Sequence, residues 1–243
     1  MMMEDVYFYF RRDLSKWLRG KTSVVTALTM PAAWLIFVGL TLPTNFTDNY
    51  LEFITPGILV MTMLFSSMQG GSLLIFDKIL GFMNKFLSLP SPRESILFGK
   101  ITFITFRGLL QSTVILLIAF ILGAGIPGIY GLVLTYLTLA IFGVLFSSIA
   151  STIALLVEDH DGYAAINTMV TMPLFFASSA LMPYSSMPSW LRVLATLNPV
   201  SHAIDTVRSV FTGEAMFGGI LLLAAMSLIA IGLSTVLFRR ATV

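Results

Sequence analysis

From Thr22 to Thr47 the chain carries no Asp, Glu, Lys or Arg, and the same holds for Phe53 to Phe76, Gly162 to Leu191 and Ala215 to Phe238. A fifth stretch, Ile101 to Val157, is interrupted only by Arg107. A hydrocarbon core of about 30 Å is crossed by roughly 20 helical residues, so each stretch is long enough to span. The fifth holds 57 residues, enough for two spans, and Gly123-Ala-Gly-Ile-Pro127-Gly128 supplies the turn between them. The sequence therefore predicts an all-α integral membrane protein with six transmembrane helices in a single domain, 1–243. Composition agrees: 57% of residues are hydrophobic and 11% charged, against about a quarter charged in soluble domains. Tilted strands are a poor alternative, because barrels show short alternating segments and not continuous apolar runs. The absence of cysteine excludes disulfide scaffolds, thiol catalysis and thiolate metal sites.

The spans are predicted at 22–43, 53–76, 99–123, 129–157, 162–183 and 215–238. Eleven of the fourteen Lys and Arg residues fall before the first span, after the second, or at the C-terminal end. By the positive-inside rule both termini are cytoplasmic. Residues 4–21 predict an amphipathic interface helix, with Tyr7, Phe10, Leu14, Trp17 and Leu18 on one face and Arg11, Arg12, Ser15, Lys16 and Arg19 on the other. It is either a topology anchor or a helix that also contacts a partner. The loop at 77–92 is too apolar for a solvated linker, and Pro90-Ser-Pro92 stops it. Its helix either lies on lipid or on the protein's own cytoplasmic face, or docks a soluble subunit. Residues 184–212 are too apolar for an outer loop and are broken by Pro183, Pro188 and Pro199. Two short helices dipping into the outer leaflet account for this better than a plain surface helix.

These segments resemble the membrane subunits of type-2 ABC exporters. The resemblance is most specific at Gly81-Phe-Met-Asn-Lys-Phe-Leu-Ser-Leu-Pro90-Ser-Pro-Arg93 with Gly99-Lys100, similar to the family's coupling loop. It is specific again at Pro173 to Pro183 followed by Met-Pro188-Ser-Trp190-Leu-Arg192 and Leu197-Asn-Pro199, similar to the end of span five and the re-entrant helices. Asn84 departs from the pattern, standing where an acidic residue is common. The resemblance implies a permease that works as a dimer, with a second copy of this chain or a paralogous permease, and with two copies of a separate ATPase subunit, in the cell membrane, with no nucleic-acid partner. It assigns the docking of the ATPase to Leu80, Phe82, Met83, Lys85, Phe86, Leu87 and Arg93, aided by the interface helix through Tyr7, Phe10, Arg11, Leu14 and Trp17. Asn167, Phe175, Phe176, Met182 and Tyr184 become the candidate translocation path, and the cargo is amphipathic, lipophilic or lipid-linked.

A nucleotide site is not expected in this chain. A phosphate-cradling loop needs a Gly five residues before its Gly-Lys pair, but Gly20-Lys21 has Ser15 there and Gly99-Lys100 has Glu94. ATP and Mg therefore belong to the partner, and the chain binds no cofactor of its own. The alternative is an ion-coupled carrier or channel, disfavoured because the predicted spans hold no Asp or Glu. An intramembrane protease is disfavoured by the lack of His-Glu-x-x-His or paired membrane aspartates. Glu158-Asp159-His160-Asp161 invites a metal reading, but a solvated turn explains adjacent charges better. Apart from Lys100 at the very start of the third span, Arg107 is the one cation inside a predicted span. It either snorkels to the interface or faces the bundle, pairing with an acid such as Glu158 or with an anionic substrate.

Overall fold

A computed structural model describes residues 2–41, 49–88, 91–214 and 216–240, apart from the side chains of Lys21, Ser23, Asn84 and Leu87. Among the described residues there is no strand. The helices run α1 (Met2–Arg19), α2 (Lys21–Ala33), a π-helical turn (Trp34–Val38), α3 (Gly39–Thr41), α4 (Tyr50–Gly70), α5 (Ser72–Ile79), α6 (Phe82–Leu87), α7 (Glu94–Ile121), α8 (Ile129–Leu156), α9 (His160–Phe176), α10 (Ser189–Leu197), α11 (Pro199–Phe211) and α12 (Phe217–Arg240). Five segments among the described residues are long and apolar enough to cross a membrane: Val24–Thr41, Tyr50–Ile79, Glu94–Ile121, Ile129–Leu156 and Phe217–Arg240. The chain is a multi-pass, all-helical membrane protein. The segment predicted as a span at 162–183 is helical only through Phe176, 17 residues from His160, and Ala177 leaves helical geometry.

Local chemistry explains the boundaries. Asn49 caps α4 by accepting from the Glu52 N–H, and Asp159 caps α9 by accepting from the Gly162 N–H at 2.6 Å. Gly123, at φ +102°, turns the chain out of α7 in a conformation that side chains rarely adopt. Pro31 lacks a donor inside α2, and the helix widens to π geometry three residues later. Residues 42–48, which hold the predicted end of the first span, lie outside the described residues.

Helices α4, α7 and α8 form the packed centre, with Ile58, Met63, Ile115, Phe142 and Phe146 among its fully buried side chains. Apolar side chains gain nothing by leaving lipid, so close backbone approach and polar contacts must hold the bundle. The small residues serve that purpose. A Cβ on Gly143 would lie 1.9 Å from the Met63 methyl, and one on Gly70 would lie 2.5 Å from Ile104. Ser147 and Ser151 are buried and donate back to the helix carbonyls of Val144 and Ser147. At Gly71 the long second segment bends between α4 and α5. The Tyr163 hydroxyl of α9 fills the space a Cβ would need and donates to the Met68 carbonyl. This break inside the predicted 53–76 span carries the helix on to Ile79, so that Asp77 is part of it.

Candidate functional site

The end of the bundle predicted to be cytoplasmic is built on the contact between α1 and α7. Tyr9 is buried there, and a Cβ on Gly99 would approach the Tyr9 Cβ to 2.6 Å, so glycine sets the spacing. Phe10 packs edge-on against Phe106 and Phe103, with centroids 5.5 and 6.4 Å away. One turn beyond Tyr9, Asp13 enters a four-charge cluster with Arg12, Asp77 at the end of α5, and Lys100 of α7. Arg12 Nη2 lies 2.6 Å from both Asp13 Oδ1 and Asp77 Oδ2, and Lys100 Nζ is 2.6 Å from Asp77 Oδ2 and 3.6 Å from Asp13 Oδ2. Lys100 also donates to the Leu73 carbonyl at 3.3 Å. The side chains of Lys100, Asp13 and Asp77 are 2%, 2% and 5% exposed, and only Arg12 reaches water, at 17%. Two cations and two anions cancel, as ions buried this deeply require. Burial alone would lower the Arg12 pKa, but the carboxylates of Asp13 and Asp77 outweigh it and hold the guanidinium above its usual value.

The short helix α6 hangs from this cluster through a turn at Gly81, whose φ is +71°. Met83 is buried, and Phe86 meets Tyr9 edge-on at 5.2 Å while the Arg12 guanidinium sits 4.6 Å above its ring. The opposite edge is open: Leu80 is 64% and Phe82 37% exposed, with Lys16 and Lys85 within 5.5 Å of the Phe82 ring centroid. The predicted docking residues therefore divide. Leu80, Phe82, Lys85 and Arg93 face outward, whereas Met83 and Phe86 fasten the helix to α1. The side chains of Asn84 and Leu87 lie outside the described residues.

Arg107 lies on α7 seven residues beyond Lys100, about 10 Å deeper along the axis. Its side chain turns onto α4, where Nη2 donates to the Ser66 carbonyl at 2.6 Å and Nε to the Ser66 hydroxyl at 3.3 Å. Among the described residues no carboxylate pairs with it; Glu158 does not reach it. Asn167 lines a cleft of about 240 Å³ with Thr26, Met30, Phe65, Gln69 and Met172, between α2 and α9.

On the opposite face, Asn198 both caps α11 and donates to the carbonyls of Leu174 (2.6 Å) and Ala177 (2.8 Å), fixing the end of α9 to the α10–α11 hairpin. The Tyr184 hydroxyl and Ser179 hydroxyl each donate to Asp205 at 2.6 Å. Arg208 donates to the carbonyls of Ser179 (2.9 Å) and Phe53 (3.3 Å), with its guanidinium 4.0 Å over the Phe53 ring. Burial, and then the Asp205 carboxylate, push the Tyr184 pKa up to about 12.

Comparison with known proteins puts this arrangement in context. Residues 4–212 match the family described as ABC-2 type transporter. The chain belongs to this family. It is 30% identical over 217 residues to the protein named transport permease ycf38 of Cyanophora paradoxa, an overlap that covers 86% of this chain and 75% of the relative. It is 26% identical over 188 residues to the daunorubicin resistance ABC transporter permease protein DrrB1 of Streptomyces coeruleorubidus, covering 76% of this chain and 66% of that one. A shorter overlap, 137 residues at 26% identity, joins it to Nodulation protein J of Sinorhizobium fredii, covering 56% and 51%. ABC-2 permeases are membrane subunits that pair with an ABC ATPase.

Within this ABC-2 permease the residues singled out by sequence fall in three places. On α1, Phe10, Leu14 and Trp17 are half-buried and Tyr7 and Arg11 exposed. The face presented to α7 includes Phe10 but extends through Tyr9 and Asp13, and Arg12 turns inward from the side predicted to be polar. Along the candidate path, Phe175 is buried against Trp34 and Phe65, Phe176 is exposed beside Trp34, Met182 is half-buried, and Tyr184 is tied to Asp205. Of the path residues, Asn167 opens on the α2–α9 cleft. Sequence reasoning missed Asp13, and it treated Asp77 and Lys100 as loop boundaries. The available signal was the Tyr9 to Asp13 spacing of one helical turn, which puts an acid and a large aromatic on the same face.

Proposed function

We propose that this chain is the membrane half of an ATP-driven exporter that moves an amphipathic, lipophilic or lipid-linked cargo out of the cytoplasm. A separate ATPase subunit, in two copies on a dimer of this chain, supplies the energy. The site of docking is the open edge of α6, Leu80, Phe82 and Lys85, with Arg93 beside it. Helix α9 serves as the sixth span, both termini are cytoplasmic, and the membrane is the plasma membrane. The chain holds no nucleotide; ATP and Mg reside on the partner.

One observation carries the reading. The exposed edge of α6 and the membrane helices α5 and α7 are joined through a single neutral buried cluster, Arg12–Asp13–Asp77–Lys100, with Phe86 clamped beneath Arg12. A push on α6 reaches Asp77 and Lys100 directly, and through them the cytoplasmic ends of α4–α5 and α7. Such a lever has a use only when a soluble partner moves against it. The drug-resistance name of one relative supports export as the direction.

The test is affinity purification of the chain expressed with its neighbouring genes, followed by ATP hydrolysis of the eluate. A soluble ATPase co-eluting near equal stoichiometry, and lost on Leu80→Glu, is the expected result. A chain that elutes alone and drives flux from an ion gradient would replace this reading with a secondary carrier.

A further inference from the structure

Arg107 is 7% exposed and within a membrane-spanning helix, yet among the described residues it has only uncharged partners, both from Ser66. Its Nε and Nη2 are used, while Nη1 bonds to nothing described and is not sealed from the adjoining space. An arginine at membrane depth is expensive and is ordinarily matched by a counter-charge. The acids nearest along the structure, Asp77 and Asp13, are held at 2.6 Å by Lys100 and Arg12 and are not available.

Arg107 borders two cavities of about 300 Å³, one shared with the ion-paired Asp13 and Asp77 and the other with Thr26, Gln69, Ser72, Phe76 and His160. No acidic side chain lines the second cavity, and the His160 Nδ1 is buried without a hydrogen-bond partner. Thr26, Ala27 and Gln69 are shared by this second cavity and the cleft toward Met30, Phe65 and Met172, so these two form one groove, cationic and polar at its cytoplasmic end and apolar further in. We propose that this groove binds the cargo, with Arg107 taking an oxyanion, phosphate or carboxylate, at the head of an acyl or other apolar chain laid along α2 and α9. The planar fork of Arg suits both oxyanions, and Ser66 holds the fork in place from behind. The inference rests on the exporter reading and narrows its cargo to an anionic amphiphile.

Native mass spectrometry of the full-length chain in neutral detergent tests this, with three probes: a single-chain lysophosphatidate, the uncharged monoacylglycerol of the same chain, and inorganic phosphate. Lysophosphatidate is expected to bind at least tenfold tighter than the monoacylglycerol, and inorganic phosphate not to bind. Arg107→Gln should bring that ratio to near one, with Arg107→Lys between. Ala27→Phe, which fills the groove and leaves Arg107 in place, should lose both lipids and serves if the Gln variant does not fold. An unchanged ratio in Arg107→Gln overturns the site, as does undiminished binding in Ala27→Phe. Tight binding of inorganic phosphate alone overturns the amphiphile and leaves a free-anion site. No ATPase is present in this measurement, so failure of the exporter reading, seen in co-purification, is separate from failure of the groove.

Discussion

Replacing Lys100 by Met removes one of two cations from a cluster whose charges otherwise cancel, and leaves Asp13 and Asp77 sharing Arg12 alone. At an effective dielectric near 20, the 2.6 Å contact to Asp77 is worth about 6 kcal/mol of gross attraction and the 3.6 Å contact to Asp13 about 5. Desolvation of the ammonium offsets several kcal/mol of this, and truncating one partner of a buried pair is expected to destabilise by about 3–5 kcal/mol. Asp77→Leu should do the same with the opposite sign of residual charge. The double variant Lys100→Met/Asp77→Leu restores neutrality, because Arg12 and Asp13 remain paired at 2.6 Å. It should therefore lie within about 2 kcal/mol of the parent, far from the sum of the singles. Unfolding by SDS titration in mixed micelles, followed by tryptophan fluorescence from Trp17, Trp34 and Trp190, measures all four proteins. Single losses below about 1 kcal/mol, or additivity within about 0.5 kcal/mol, would refute the claim that the cluster is one neutral unit.

Three further outcomes follow from the geometry. Leu80→Glu should abolish capture of the ATPase subunit at unchanged thermal stability, whereas Phe86→Glu should also destabilise the chain by about 2 kcal/mol or more, since its ring packs on Tyr9 beneath Arg12; a thermal shift assay beside the pull-down separates them. Asn198→Ala removes a helix cap and the donors to two carbonyls, for a loss of about 2–4 kcal/mol by SDS titration, while Asn198→Asp keeps the cap and should lose less. Tyr184 stays protonated in the fold up to about pH 12 but ionises near 10 when unfolded, so its contribution to stability is intact below pH 10 and is lost between the two. Ultraviolet titration of the parent against Tyr184→Phe should show one tyrosinate fewer appearing near pH 10 in Tyr184→Phe only after unfolding, and a parent that titrates it near pH 10 while folded contradicts the Asp205 contact.

Much of the architecture was legible because hydropathy and charge are local properties. The five long apolar helices lie within a few residues of the stretches free of charge, and the Gly123 to Gly128 turn divides α7 from α8 where the sequence places it. What escaped reading depends on partners distant in the chain. The helix α9 stops at Phe176 although the apolar run continues to Pro183, because Asn198 and Arg208, more than twenty residues on, bind the carbonyls of Leu174, Ala177 and Ser179 and hold that backbone out of helix. The inward face of α1 was hidden for the same reason. A charged residue reads as solvated until its counter-ion is found, and the counter-ion of Arg12 is 65 positions away at Asp77. The open edge of α6 was easier to foresee, since Leu80 and Phe82 are apolar in a segment with no room to bury them all.

Arg12 and Arg107 differ in a way that bears on mechanism. Arg12 is matched by Asp13 and Asp77, and the sum with Lys100 is zero, so this cluster can transmit a displacement without exposing a net charge to lipid. The helices around Arg107 had equal opportunity to supply a carboxylate, yet Ser66, Gln69 and Ser72 stand on α4 and α5 where an Asp or Glu would fit the helical spacing. An acid there would neutralise Arg107 permanently and remove the gain from an anionic cargo. Neutral polar residues instead hold the guanidinium in position and leave its charge uncancelled. Under the proposed function, an anionic head would gain its pairing energy only while it sits at Arg107 and would surrender it on leaving the groove. Asp77 and Ser66 sit on the consecutive helices α5 and α4, and Lys100 and Arg107 on α7, so under the proposed function a displacement at the docking edge would act on both the cluster and the cargo's head.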